Sequence, residues 1–308
     1  MQIITFVFFC SCWLAINANA PFPQTIGGDA FAESVKQTLN ALGGIAVKPR
    51  DPSIPVAVRL LLTKLKHEIR DLILSKMNDK RIPWNSPDEL KSQVILSLKK
   101  AGVEVGKQAQ DQNWKDEESH NYFYNQIDRI SIEAPAGYSD LIIATTTIWV
   151  MCGEDTSFYV FRRKGAEWNL ILDHEASNYE DIRGAQSQFG YAISPSDSKG
   201  DFFIVTADVN PWCSSFWQRL RYSVVRPGSS PTKPEILLKR SDTIYLGVAP
   251  PIFYITVEQD RFRLVFHGDW YWDPDSGASS QFAEYRVSRH GASLVKRGKI
   301  EKDHEPQK

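Results

Sequence analysis

The sequence predicts an α+β protein: an N-terminal helical segment followed by a mainly antiparallel β domain of three four-stranded meander repeats, propeller-like in plan. Three observations carry this. Apolar residues in the first third recur at steps of three and four, the period of a helix packed on one side. Beyond Tyr122 the chain changes to short runs of Val, Ile, Phe, Tyr and Thr separated by Gly, Pro, Asp and Ser. Finally, Y-x-(V/F)-x-R-x-G occurs at Tyr159, Tyr222 and Tyr285, with a spacing of 63 residues both times.

Residues 1–20 read as a secretory signal. They carry no charged side chain, hold an apolar run from Ile3 to Phe9 extended by Cys12 to Ile16, and end in Ala18-Asn19-Ala20. The n-region lacks Lys and Arg, and the run breaks at Asn17, too soon for a spanning helix. The mature chain is therefore expected to start at Pro21 and to be secreted or periplasmic. With 36 basic and 37 acidic side chains in 308 residues, no global basic field invites a nucleic acid.

A helical region is expected over 21–120. The first helix spans Asp29 to Gly44, with Ala32, Val35, Leu39 and Leu42 on one face. A second covers about Pro55 to Met77. Val58, Leu62, Leu65, Ile69, Leu72 and Ile73 form its apolar face, and Lys64, Lys66, Glu68 and Arg70 its polar one. The third begins at Ser86-Pro87-Asp88-Glu89, a capping box with proline at the first helical position, and ends near Gly102. Gly106 to His120 is polar and reads as a linker or frayed helix.

The β domain is expected over 121–300, with 301–308 a disordered tail. Strand one of each unit is IDRISIE, FGYAIS or FYITVE; strand two starts at Asp140, Asp201 or Asp260. A longer loop then leads to the tyrosine-motif strand, and NLILD, EILLK or SLVK closes the unit. The recurring aspartates suit turn capping. SDLIIAT followed by SFYVFRRKG resembles the FG-GAP or VCBS type of propeller blade, which implies a β-propeller. Those families often hold calcium in an acidic D-x-D-x-D-G turn. The turns here, APAGYSD, SPSDSKGD and VEQD, depart from it, so no metal and no cofactor is expected. Closed propellers have about 4 to 8 blades, so three units would need a homo-oligomer to complete a ring or another three-fold arrangement.

Removing residues 1–20 leaves Cys152 and Cys213, each between strands two and three of successive units, and an oxidising compartment makes them a disulfide pair. Trp212-Cys213-Ser214-Ser215-Phe216 imitates a thioredoxin-like turn but lacks the resolving thiol. The same loops gather Trp149, Trp212, Trp217, Trp270 and Trp272. Glu154, Asp155, Asp208, His267, Asp269, Asp273 and Asp275 accompany them.

Indole faces beside carboxylates suit sugar rings, and the same tryptophans could instead fill gaps between sheets. The expected ligand-binding set is Trp149, Trp212, Trp217, Trp270, Trp272, Asp208, Asp269 and Asp273, with no catalytic residue assigned. The functional expectation is a secreted, non-enzymatic module binding a glycan or a protein. The alternative is a carboxylate-dependent hydrolase at the same end, and a third reading places function on the helices. Asp173-His174-Glu175 stands out, yet no nucleophile elbow accompanies it.

Overall fold

A computed structural model describes residues 28–45, 54–81, 83–106, 124–150, 153–176, 188–209, 217–245, 253–267 and 280–300. The expected signal segment 1–20 and tail 301–308 lie outside these residues. Among them are three helices and twelve strands. Helix α1 is Gly28–Gly43, α2 Val56–Met77 and α3 Pro87–Lys100. The strands are β1 Ile127–Glu133, β2 Leu141–Val150, β3 Gly153–Lys164, β4 Glu167–His174, β5 Gln188–Ile193, β6 Ile204–Val209, β7 Trp217–Ser230, β8 Lys233–Tyr245, β9 Phe253–Val257, β10 Arg261–His267, β11 Ser280–Ser288 and β12 Gly291–Lys299.

Each helix forms where its periodicity places it. The predicted α2 face of Val58, Leu62, Leu65, Ile69, Leu72 and Ile73 is buried. At α3, Ser86 Oγ accepts from Glu89 N at 3.2 Å, and Pro87 occupies the first turn. The Glu89 carboxylate returns to Asn85 N at 2.9 Å, one residue earlier than an ideal capping box. Gly102, at φ +84°, lets Val103 N reach Leu98 O and Gly102 N reach Lys99 O, the paired bonds of a Schellman stop.

All strand pairing within the sheets is antiparallel and sequential: β1-β2-β3-β4, β5-β6-β7-β8 and β9-β10-β11-β12. Tyr159, Tyr222 and Tyr285 fall on the third strand of their respective sheets. Among the described residues the sheets close into neither a barrel nor a ring. They stack instead in a row. One core joins all three helices to the face of the first sheet bearing Ile130, Ile142, Ala144, Tyr159 and Phe161. A second joins the opposite face, through Ile143, Phe158 and Val160, to Phe202, Ile204 and Val225 of the second sheet region. A third joins the second sheet to the third. The helices thus pack on the first sheet.

One expectation needs correction. Strands two and three of the first sheet are not separated by a long loop, because β2 and β3 pair without interruption as far as Val150 and Gly153. The run TTTIWV is β-branched and aromatic, and it continues the strand where a loop was expected. The corresponding connections in the other sheets, 210–216 and 268–279, lie outside the described residues.

Candidate functional site

Antiparallel partners share a face, so the register assigns each side chain of the first sheet to a side. Towards the second sheet point Leu141, Ile143, Thr145, Thr147 and Trp149 of β2, opposed by Val160, Phe158, Thr156 and Glu154 of β3. The face is apolar in its first half and carries hydroxyls and charge in its second. Arg129 pairs with Thr147 and Ser131 with Thr145, extending the polar half across β1.

Where the apolar residues stop, the two sheets part. A cleft of about 370 Å³ opens there, lined by Arg129, Ser131, Thr145, Thr147, Glu154 and Thr156 on one wall and Phe189, Gly190 and Tyr191 of β5 on the other. Thr147 Oγ1 and Thr156 Oγ1 are 3.1 Å apart. Arg129 stands 3.7 Å from Glu154 at the rim. Burial, more than the partial opposition of Arg129, pushes the Glu154 carboxyl above its ordinary range. Tyr191 packs on Phe158 with ring centroids 4.6 Å apart and donates to Glu133 Oε1 at 2.5 Å.

This cleft lies at the β2–β3 end of the first sheet. Trp149 is a half-buried strand residue beside it, its Nε1 donating to Asp128 Oδ1 at 3.2 Å. Asp208 lies on β6, not in a loop, and faces the first sheet. Arg221 Nε donates to its Oδ1 at 2.6 Å. Burial raises the Asp208 carboxyl, with Arg221 pulling it part of the way back. Trp217 opens β7. Trp212, Trp270, Trp272, Asp269 and Asp273, and with them the Cys152–Cys213 pair, lie outside the described residues.

The opposite face of the first sheet holds a polar core that sequence periodicity did not flag. Lys66, expected on the polar side of α2, is fully buried. It sits four residues after Leu62 and three before Ile69, at the margin of the apolar stripe, so contact with the sheet decides its environment. Its Nζ lies 3.2 Å from Asp155 Oδ2 and donates to Ala176 O at 2.7 Å. Asp155 was expected among loop acids; it is instead a β3 residue with no exposed surface. Burial raises its carboxyl, more than the nearby Lys66 charge lowers it.

Tyr159 donates to Glu175 Oε1 at 2.7 Å, and Arg70 Nη1 to Asp173 Oδ2 at 2.7 Å. His67 Nε2 is 3.3 Å from Glu175 Oε2. Burial first, then the Asp173 charge, lifts the Glu175 carboxyl, and burial followed by Glu175 lifts Tyr159 well above its usual range.

Strand alternation splits the Asp173-His174-Glu175 triplet. Asp173 is opposite Tyr159, on the helix side; His174 is opposite Phe158, on the side of the second sheet. His174 stacks near Phe189 at 6.1 Å, and burial depresses its pKa. On the helix side, ligand atoms of His67, Asp173 and Glu175 come within 4.8 Å of one another. Their oxygens already meet Arg70, Tyr159 and His67, so cations and donors of the chain itself occupy that arrangement.

The polar core is an ion-pair network held between helix and sheet, with Lys66 and Asp155 buried and His67 reaching the surface, whereas the groups of the cleft suit a hydroxylated ligand. Glu133 and Glu154 align with Ile143 and Trp149, six positions apart along β2. At about 3.3 Å per residue that is about 20 Å, too far for the roughly 5–10 Å of a glycosidase carboxyl pair. Comparison with known protein families, curated proteins and solved structures finds no match.

Proposed function

We propose that the chain is an exported, non-enzymatic binding module, and that the cleft between its first two sheets takes a neutral glycan. The observation that carries this reading is the change of side chain along one face of β2 and β3. Apolar contacts close the seam as far as Phe158. Beyond it, Ser131, Thr145, Thr147 and Thr156, the Arg129–Glu154 pair and the Tyr191 ring line an open space. Hydroxyls and a charged pair exchange hydrogen bonds with sugar hydroxyls, and an aromatic ring meets sugar C–H faces. The helices cover the Tyr159 face of the first sheet and end the row there.

The test is calorimetric titration of the full chain with neutral oligosaccharides, with release of reducing ends assayed alongside. Saturable binding, weakened at least tenfold in Arg129→Ala and Glu154→Gln and without product, is the expected result. Accumulating product would replace the reading with hydrolysis. Binding unchanged in both variants would remove the ligand from this cleft.

A further inference from the structure

The other end of the first sheet carries a second concavity, of about 430 Å³, between the α2–α3 connection and the β1–β2 and β3–β4 turns. This volume lies within the range of small-ligand sites. Trp84 and Trp168 line it, with ring centroids 5.6 Å apart and planes tilted by 40°. That separation admits no ring between them, so the two half-buried indoles offer one bent platform.

The platform is built rigidly. Trp84 Nε1 donates to Met77 O at 3.3 Å. The Asn78 amide clasps the Trp168 main chain, donating to its carbonyl at 3.0 Å and accepting from its N–H at 2.8 Å. Tyr138 stands on the same lining and is fixed by donating to Ser194 O at 2.6 Å.

Charge around the platform is unbalanced. Lys80 and Arg163 line the concavity, both are exposed, and among the described residues no ion pair or hydrogen bond engages either side chain. The lining acid, Asp79, is already held by two bonds of 3.0 Å from the Arg81 guanidinium. Those bonds keep its carboxyl below the ordinary range. Ser139 and Asn85 add neutral polar groups.

We propose that this concavity binds a carboxylated sugar unit, such as a hexuronate in an acidic polysaccharide. The C–H face of the ring stacks on the Trp84–Trp168 platform, the carboxylate meets Arg163 and Lys80, and ring hydroxyls reach Ser139 and Asn85. A bare anion would leave the platform unused, and a flat aromatic acid would make no use of the Ser139 hydroxyl. The site is separate from the first cleft and does not depend on that reading.

The experiment follows tryptophan emission of the full chain against tetragalacturonate, its neutral methyl ester and 1-naphthoate. Saturable binding of the uronate is expected, at least tenfold tighter than the ester or the naphthoate. Arg163→Glu and Lys80→Glu should each weaken it at least fivefold with the thermal midpoint unchanged, because neither side chain has a partner to lose among the described residues. No saturation at millimolar uronate, equal binding of the ester or naphthoate, or indifference to both charge reversals would overturn the proposal. Loss of uronate binding in Arg129→Ala but not in Arg163→Glu would place the sugar in the first cleft, overturning this inference while leaving the proposed function standing.

Discussion

The two seams between consecutive sheets are built differently. Between the second and third sheets, Phe203, Val205, Ala207, Val209, Leu220 and Val224 meet Phe262, Leu264, Phe266, Ala283 and Val287 in one apolar layer. Inside it the Tyr222 and Tyr285 hydroxyls meet at 2.8 Å, and Tyr222 Oη donates onward to Asp242 Oδ2 at 3.0 Å. Between the first and second sheets the apolar layer stops half-way. Beyond it come Thr145, Thr147, Thr156, His174 and the Asp208–Arg221 pair. The four-stranded unit thus makes a solid joint where two tyrosine-bearing faces meet and a partly open one where two opposite faces meet.

That contrast orders the expected effects. The largest loss should come from the solid seam: Phe262→Ala empties a fully buried ring stacked on Tyr285 at 4.8 Å. It should cost about 3–5 kcal/mol in urea unfolding. If the loss were below about 1 kcal/mol, the seam would not be the continuous core described.

Asp208→Ala in the open seam should cost less, about 1–3 kcal/mol, because it removes a carboxylate partner of the partly exposed Arg221 guanidinium. An additional Arg221→Met should recover part of that loss. Thr147→Val keeps the shape but removes the contact to Thr156 Oγ1. About 1 kcal/mol or less is expected, together with weaker glycan binding, so stability and ligand affinity should separate at this position.

The smallest effect is one of pH. Burial lowers the His174 pKa from its ordinary 6.5, against the raising influence of Asp173 and with Lys239, Arg221 and Lys66 acting in the same lowering sense. The unfolded chain then binds a proton that the folded chain refuses. The stability His174 contributes is thus present above about pH 6.5 and is lost as pH falls towards its depressed folded value, by at most about 1.4 kcal/mol per pH unit. Asp208, with a raised carboxyl, acts oppositely: its contribution is complete below its ordinary value of 3.8 and is lost as pH rises through the folded one. His174→Phe should flatten the dependence of the urea midpoint between about pH 7 and 5.5, whereas Tyr222→Phe in the solid seam should leave that dependence as in the wild type.

Local pattern made much of the fold legible. The α2 stripe, the Ser86 cap and the Gly102 stop follow from spacing and backbone chemistry, because helix faces and ends are decided within a few residues. Strand alternation likewise separates Asp173 and Glu175 from His174. The recurrent tyrosine marks the third strand of each sheet, but its partner differs: Tyr222 and Tyr285 bond each other, and Tyr159 bonds Glu175 beneath α2.

By itself, then, the sequence determined element type, order and the faces of helices and strands, since each depends on neighbours at fixed spacing. Tertiary structure alone decided that Lys66 and Asp155 are buried together and that Trp84 and Trp168 meet across 84 positions of chain. Those outcomes depend on which faces the helices and sheets present to one another. Hydrophobic burial rewards many such stackings in nearly the same way, and only the assembled set of contacts selects among them.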